Sequence, residues 1–336
     1  MDFEKYKLES IEKGQKVYAW ETAIGLQQVD DLTPSLYLYE IAKMNIEDEL
    51  SFDEATDLIN SYYEKKVSNE ERTEEADKVS VKIAKLISSK SFVFSPIEYL
   101  NIHKQLFEGI FEHAGVIRSY NITKKEWVLN GDSVVYGDSF DIRRLLEYDF
   151  EQEKVFKYSN LSKVEFVKHV AKFISNLWQI HAFGEGNTRT TAVFLIKYLK
   201  AKGFNINNDL FAKNSWYFRN ALVRANYSNY SLGVDETTQY LEMFLENLLF
   251  NGENTLSNKM LHIFYKNTKS IGKTFTEAEK QILSAIKNCP KITIDECALK
   301  IGKSLRTTKE LFKKLKESEV LERVGSRKNG QWKVKC

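Results

Sequence analysis

The chain has 336 residues and a formal net charge of +2, and 43% of its residues are hydrophobic. This length predicts two or three domains, and no apolar run is long enough to span a bilayer. The charged start MDFEKYKLES lacks the apolar stretch of a secretory signal, and the three cysteines have no metal-ligand spacing. We therefore expect a cytoplasmic protein with reduced thiols, which excludes a membrane protein and a disulfide-bonded secreted one.

Charge is divided unevenly along the chain. Residues 271–336 carry sixteen Lys and Arg against eight Asp and Glu, which leaves 33 basic and 39 acidic residues for the rest. A basic tail on an acidic body indicates that the two parts meet different partners.

The first 75 residues predict a small helical segment. The stretch SLYLYEIAKMNI has apolar residues at helical spacing, and Pro34 precedes it, where the fixed φ of proline is tolerated. The next stretch, SFDEATDLINSYYEKK, opens with Ser51 and Glu54 as a capping box. We expect residues 1–75 to form an N-terminal helical cap.

From residue 76 to residue 250 most segments have a helical period, with one exception at 115–140. There the runs EWVL and SVVYG flank Asn130-Gly131-Asp132, and Asn-Gly between such runs is a strong β-hairpin signal. Two strands alone are only marginally stable. The sequence therefore predicts a hairpin flap laid across a helical surface.

The residues that could carry chemistry are concentrated in one short joint, HAFGEGNTR, at residues 181–189. SKVEFVKHVAKFISNLWQIH predicts an amphipathic helix that ends near His181, and TRTTAVFLIKYLKAKGF predicts a second helix closed by Gly203. A glycine-rich joint between two helices is usually only a connection, and that interpretation stands beside a chemical one.

Several residues of the joint together suit a phosphate ligand. Gly184 and Gly186 would let the backbone approach a ligand, and the first amides of the second helix form an anion site. Glu185 could join a divalent ion to phosphate oxygens, and His181 could act as a general base. Arg189 in the first helical turn is unfavourable for the helix dipole unless an anion binds there.

These residues resemble the signature of the Fic family, HxFx(D/E)GNGRxxR, through His181, Phe183, Glu185, Gly186, Asn187 and Arg189. The resemblance covers about residues 76–250, with the flap upstream of the motif. It implies transfer of the AMP moiety of ATP, with Mg²⁺, to a Ser, Thr or Tyr hydroxyl of a target protein or of the chain itself.

The resemblance also implies roles for single residues. His181 would deprotonate the target hydroxyl, and Glu185 would hold Mg²⁺ against the phosphates. The anion nest would consist of Gly186, Asn187 and Thr188, with Arg189 on the departing pyrophosphate. Positioning and charge neutralisation are what phosphoryl-type transfer mostly requires.

Two further groups of residues follow from the resemblance. The flap would clamp the target by strand addition, through Glu126, Val128, Leu129, Val134 and Val135. Candidates for the pocket of the nucleotide base are Tyr217, Asn220 and Tyr227. An aromatic stripe at helical spacing is more often core, and this alternative stays open for the three.

The motif departs from the family signature at several positions. Ala182 replaces a common proline, Thr188 replaces the second glycine of GNG, and Ala192 replaces the second arginine. Asp30 falls where relatives carry an inhibitory glutamate, although Leu26 replaces the accompanying Ser or Thr. The sequence leaves open whether AMP, another nucleotide or a phosphate is transferred, and whether the N-terminal cap inhibits or is only a structural lid.

The basic tail predicts a winged helix. Three amphipathic stretches, TEAEKQILSAIKN, TIDECALKIG and SLRTTKELFKKLKESE, precede two β-type runs in VLERVGSRKNGQWKVKC. Such a module places its last helix in the major groove of duplex DNA and its wing on the backbone. The expected DNA contacts are Arg306, Thr307, Lys309, Arg327 and Lys328. A winged helix that contacts proteins is the alternative.

The sequence thus predicts a mainly α protein. Its parts are a cap at 1–75, a Fic catalytic core with a hairpin flap at 76–250, a linker with a bridging helix at 251–270 and a winged helix at 271–336. The expected function is that of a bacterial-type protein adenylyltransferase with ATP and a target protein as partners. The rival is a DNA-binding regulator whose degenerate Fic core only senses nucleotide. The target and any homo-oligomer stay undetermined.

Overall fold

The computed structural model describes residues 3–65, 71–264, 277–317, 320–324 and 331–334. The chain divides into two compact units, Met1–Phe264 and Tyr265–Cys336. The division lies inside the predicted linker at 251–270. Residues 1–75 fall in the first unit together with the core, and the expected domain bounds stay a prediction.

The first unit is built from helices, as expected. In chain order they are α1 (Glu4–Lys7), α2 (Ile11–Leu26), α3 (Leu36–Ile46), α4 (Phe52–Lys65), α5 (Glu71–Ser88), α6 (Pro96–Phe107), α7 (Ile142–Val155), α8 (Lys163–Ile180), α9 (Asn187–Ala201), α10 (Leu210–Ala225), α11 (Gln239–Phe250) and α12 (Asn258–Leu261). Within the described ranges, none of the helices has the length and apolar content that a bilayer span requires.

Serine side chains fix where several of these helices begin. The Ser35 and Ser95 hydroxyls each accept a hydrogen bond from the amide three residues later, which satisfies a donor that the first helical turn leaves unpaired. Ser51 forms the predicted capping box with Glu54, and Ser162 forms a second one with Glu165.

Helix α2 joins the N-terminal segment to the rest of the body, since it packs against both α5 and α10. Trp20 is fully buried, and its indole nitrogen donates to Asn45 Oδ1 at 2.9 Å. A Cβ on Gly25 would lie 2.5 Å from the backbone of Ala212, so only glycine allows α2 and α10 to approach this closely. The cap therefore shares the core of the body.

Helix α9 runs through the centre of this core. Each of its residues from Asn187 to Leu199 is buried. Its N-terminus follows the 181–189 joint, so the joint is placed by the best-packed helix of the unit.

The prediction of two β-strands at 126–136 is wrong. This segment has no β-strand: it forms a 3₁₀ turn at Trp127–Leu129 and then the left-handed residues Asn130 and Gly131. The Glu126 amide donates to Asp132 O at 2.9 Å, which closes a loop without a ladder. Val128 and Leu129 are both buried, so strand alternation is lost where adjacent apolar residues enter the core.

The described residues of the second unit form the helices α13 (Glu277–Asn288), α14 (Ile294–Ile301) and α15 (Leu305–Glu317), followed by β1 (Leu321–Val324) and β2 (Gln331–Val334). The strands pair antiparallel, with Leu321 opposite Val334. Ile282, Phe312 and Trp332 lie in a core of its own. The order of elements is the predicted one; that the unit is a DNA-binding winged helix stays a prediction.

Candidate active site

The joint between α8 and α9 is held by its own side chains. His181 ends α8 with a left-handed φ of 51°, and Gly186 begins α9 with a φ of 75°. The Asn187 side chain accepts from the Phe183 amide at 3.0 Å and donates to Phe183 O at 2.7 Å. Asn187 thus fixes the loop with its side chain, in addition to the backbone role expected for it.

The His181 imidazole is oriented as a base. It is 3% exposed, and its Nδ1 lies 3.3 Å from the carbonyl oxygen of Trp178. A carbonyl only accepts, so Nδ1 carries the proton and Nε2 keeps its lone pair. Nε2 is buried and has no hydrogen-bond partner among the described residues. Burial lowers the pKa of His181 well below its ordinary value, so the ring is neutral at neutral pH.

Arg118 holds the end of α8 behind this histidine. Its guanidinium donates to His181 O at 2.7 Å, to Tyr120 O at 2.6 Å and to Gly137 O. The Arg118 side chain is buried. A fixed cation at a helix C-terminus satisfies the last carbonyls and complements the dipole. Composition and spacing gave no signal for this role, because it depends on carbonyls about 60 residues away.

The two glycines of the joint are required by protein packing. A Cβ on Gly186 would lie 2.4 Å from the Phe107 ring, and one on Gly184 would lie 2.7 Å from the Tyr120 hydroxyl. The sequence attributed both glycines to the approach of a ligand. In the structure aromatic side chains take that space.

His103 positions the loop beside Glu185. Its Nε2 donates to Glu185 O at 3.0 Å, while the Gly115 amide donates to its Nδ1 at 2.8 Å. The ring stacks on Phe183 with centroids 3.7 Å apart. Burial lowers the pKa of His103 to about 4, so the ring is neutral at neutral pH and supports the loop through its two hydrogen bonds. Sequence reasoning missed this residue, because a lone histidine in a helix carries no pattern.

The Glu185 carboxylate points to solvent and pairs with Lys124 Nζ at 2.9 Å. No cluster of His, Cys, Asp or Glu in the described ranges could hold a metal ion unaided. A single exposed carboxylate still suits Mg²⁺, which usually takes one or two carboxylates and completes its shell with substrate phosphates and water. The residues present therefore fit a magnesium ion that arrives with a nucleotide.

Arg189 faces protein carboxylates. Its guanidinium is buried and lies 2.7 Å from Asp30 Oδ2 and 2.6 Å from Glu75 Oε1. The contact with Glu75 is a hydrogen bond, whereas the approach of Nε to Asp30 is an ion pair without hydrogen-bond alignment. Gln27 accepts a third contact at 3.1 Å. These anions explain a cation in the first turn of α9, where the sequence invoked a phosphate.

A comparison with known proteins agrees with this motif. Residues 93–199 match the profile of the Fic/DOC family. This part of the chain is a Fic domain. A protein adenylyltransferase of Bartonella henselae is 28% identical over 138 residues, which cover 38% of this chain and 25% of that protein. The match spans about a quarter of the relative, so its activity comes to this chain only as a proposal.

A crystal structure of a Fic family protein from Desulfovibrio desulfuricans G20 aligns with 99% of this chain and 90% of its own. The two are 12% identical, with a TM-score of 0.45. A likeness of this degree carries no conclusion about the site.

Two departures from the Fic signature have structural counterparts. The Thr188 hydroxyl accepts from the indole nitrogen of Trp178 at 3.0 Å, so it points toward α8 rather than out of the nest. Ala192 is fully buried in the core, where the family signature has its second arginine.

The flap of the Fic domain is anchored rather than free. Glu126 is buried, and its carboxylate accepts hydrogen bonds from Arg219 Nη1 at 2.6 Å and Nη2 at 3.1 Å. The Tyr136 ring lies 4.2 Å from the His181 ring, between centroids, and covers it. Four of the five predicted target contacts are buried, namely Glu126, Val128, Leu129 and Val134. Val135 is the exposed one of the five, at 82%.

The three candidates for a base pocket lie on α10 or directly after it, and all three are buried. The Tyr217 hydroxyl donates to Tyr240 O at 3.2 Å, and Asn220 Nδ2 donates to Asn258 at 2.8 Å. The Tyr227 hydroxyl donates to Asp132 of the flap at 2.6 Å. These contacts agree with the alternative that the three residues belong to the hydrophobic core. Tyr227 in addition helps to hold the flap through Asp132.

The predicted DNA contacts divide into two groups. Arg306, Thr307 and Lys309 lie exposed at the start of α15, while Thr308 between them is buried. Arg327 and Lys328 lie outside the described residues, so their role stays a prediction.

Proposed function

We propose that this Fic-domain protein is a protein adenylyltransferase that moves AMP from ATP to a hydroxyl of a target protein or of itself. The observation that carries this proposal is the state of His181. A neutral imidazole with a free, buried Nε2 lone pair lies at the end of α8. The Glu185 carboxylate follows it in the same joint, and α9 begins two residues after Glu185. A base, an acid and an anion site meet in one loop.

The reaction assigns one task to each group. The target hydroxyl oxygen forms a bond to the α-phosphorus, the bond to the β-phosphate oxygen breaks, and pyrophosphate leaves. His181 Nε2 takes the hydroxyl proton, and the Trp178 carbonyl stabilises the resulting imidazolium through Nδ1–H. The amides of Gly186, Asn187 and Thr188 bind phosphate oxygens. Mg²⁺ held by Glu185 would supply neutralisation of phosphate charge.

Lys124 adds a cation to this site. Its ammonium pairs with the Glu185 carboxylate. Its positive charge also lowers the pKa of His181, although burial has the larger effect. If the Glu185 carboxylate held Mg²⁺ with a bound nucleotide, its ion pair with Lys124 would break. The Lys124 ammonium would then be free to contact phosphate oxygens. Tyr136 must also move from the His181 ring for a target hydroxyl to reach Nε2.

Labelled ATP tests the proposal. The purified chain is incubated with Mg²⁺ and ATP labelled at either the α or the γ phosphate, and protein-bound label is measured. We expect label from α only, and its loss by at least about a hundredfold in His181→Ala, because a positioned general base contributes at least that factor. His262→Ala, a histidine outside the motif, is the matched control.

Other results would contradict the proposal. Label from γ alone would indicate phosphate transfer. Label from neither position, with nucleotide bound, would favour the regulator whose Fic core only senses nucleotide.

DNA binding is a second candidate function, alongside the enzymatic one. The observation that favours it is the exposed basic start of α15, where the Arg306 side chain is 91% exposed. Its Nε lies 3.5 Å from Glu310 Oε1 in a solvent-exposed ion pair. Exposed positive charge on one helix face suits a phosphate backbone.

A further inference from the structure

A cavity of about 560 Å³ lies at the C-terminal end of α9, away from the 181–189 joint. It is lined by α2, by the end of α5 with the segment after it, and by the end of α9 with the loop that follows. The volume is that of a small-molecule site. The lining contains no residue of the Fic motif.

Two lysines of α9 reach this cavity with little compensation of their charge. Lys197 is 3% exposed, and its Nζ donates to Leu86 O at 2.8 Å and to Ser89 O at 3.1 Å. Lys200 Nζ donates to Ile87 O at 3.1 Å. These carbonyls at the end of α5 satisfy N–H groups, but they are dipoles and not counter-charges.

Neither lysine forms an ion pair with a carboxylate of the described residues. Glu98 acts on Lys197 only at a distance. Burial and, to a smaller extent, the charge of Lys197 lower the pKa of Lys200 to about 8. The buried Lys197 and the half-buried Lys200 lie one helical turn apart. Like charges so placed raise the free energy of the fold unless an anion joins them.

The remaining charges around the cavity do not supply that anion. Asp48 forms an ion pair with Lys16, and the Lys16 ammonium also donates to Asn45 O. Glu12 and Lys90 are exposed residues of opposite sign at the cavity wall.

One wall of the cavity is aromatic. Tyr18, Phe92 and Phe204 line it, and Lys200 Nζ lies 5.1 Å from the centroid of the Tyr18 ring. The Tyr18 hydroxyl is buried and has no hydrogen-bond partner among the described residues. Ring faces beside uncompensated ammonium groups suit a ligand that is flat at one end and anionic at the other.

We propose that this cavity binds a small anion that carries an aromatic ring. Lys197 and Lys200 hold the anionic group, and Tyr18, Phe92 and Phe204 pack against the ring. The ligand thereby joins α2 of the N-terminal segment to α9 of the Fic domain.

Protection of a single amine tests this site on the full chain. Lysines are acetylated with a limiting reagent, and the modified positions are quantified by mass spectrometry with and without phenyl phosphate as probe. We expect phenyl phosphate to protect Lys200 and to leave the exposed Lys213 unchanged. Inorganic phosphate, which lacks the ring, and phenol, which lacks the charge, should protect Lys200 far less.

Binding variants separate this site from the Fic motif. Lys200→Met should weaken phenyl phosphate binding by roughly tenfold or more, as loss of a partner in a desolvated charge pair does. Lys202→Met, the exposed neighbour, and His181→Ala should both bind as the unaltered chain does. Phenyl phosphate should also raise the melting temperature of the unaltered chain but not of Lys200→Met.

Two results would overturn the proposal. Absence of both protection and thermal stabilisation would mean that the lysines only cap α5. Equal protection by inorganic phosphate would show that the aromatic wall contributes nothing.

Discussion

Thr188 shows how one residue can depart from a family signature and still serve the same loop. A glycine would leave the buried indole N–H of Trp178 without an acceptor, whereas the Thr188 hydroxyl lies 3.0 Å away. Trp178 also carries the carbonyl that orients His181. The threonine therefore stabilises the residue on which the base depends.

A pair of isosteric changes tests this role. Thr188→Val leaves a buried donor unpaired and should lower the free energy of unfolding by about 1–3 kcal/mol. Thr190→Val is the matched control, since the Thr190 hydroxyl is buried without a hydrogen-bond partner in the described part of the chain. We expect that control to be neutral or stabilising, as measured by urea denaturation. Equal losses in both variants would contradict the hydrogen-bond argument.

At the scale of elements, the N-terminal segment reaches the motif. The 3₁₀ turn Gln27–Asp30 continues α2, and α5 carries Glu75; together they enclose Arg189. An arginine held by two carboxylates is not available to phosphate. We infer that this contact would restrain the proposed transferase and would give Asp30 an inhibitory route that needs no second arginine.

A single charge substitution tests the restraint. Asp30→Asn removes one anion from Arg189 while keeping its shape, so auto-labelling from α-labelled ATP should become several-fold faster. Asp31→Asn, the exposed neighbour, is the control. Deleting residues 1–66 is a poorer test, because α2 shares the core of the body and its loss would expose buried residues such as Trp20. A rate equal to that of the control would leave Asp30 a structural residue only.

At the scale of the whole molecule, the uneven charge of the sequence coincides with the division into two units. The acidic excess belongs to the body and the basic excess to the tail. Because net charge acts on partners and not on the fold, the tail is the part of the chain suited to a polyanion.

Salt dependence tests whether that polyanion is DNA. The full chain should bind a labelled duplex of about 20 base pairs at about 50 mM salt and much more weakly at about 200 mM. Arg306→Gln and Lys309→Gln should each reduce the slope of log affinity against log salt by about 1. Lys104→Gln, a basic exposed residue of the body, is the control. No binding at low salt would favour the alternative of a protein-contact module.

The sequence by itself determined what depends on local pattern. Helical period predicted α3, α4, α8 and α9, and the capping box at Ser51 predicted where α4 begins, whereas α1 and α2 were not predicted individually. The joint at 181–189 led to the Fic family, which the family match over residues 93–199 confirms. The tail was predicted in its order of helices and strands for the same reason, since each element there follows from neighbouring residues.

Only the tertiary structure decided what depends on distant partners. Arg118 donates to the His181 carbonyl, 63 residues further along the chain, and Arg189 pairs with Asp30 and Glu75. The Asn-Gly turn loses its strands because Val128 and Leu129 enter the core. A sequence pattern extends over a few residues, whereas burial and charge compensation depend on distant segments, such as Gln27 and Arg189, which are 162 residues apart. The motif could therefore be found in the sequence, but what surrounds and restrains it could not.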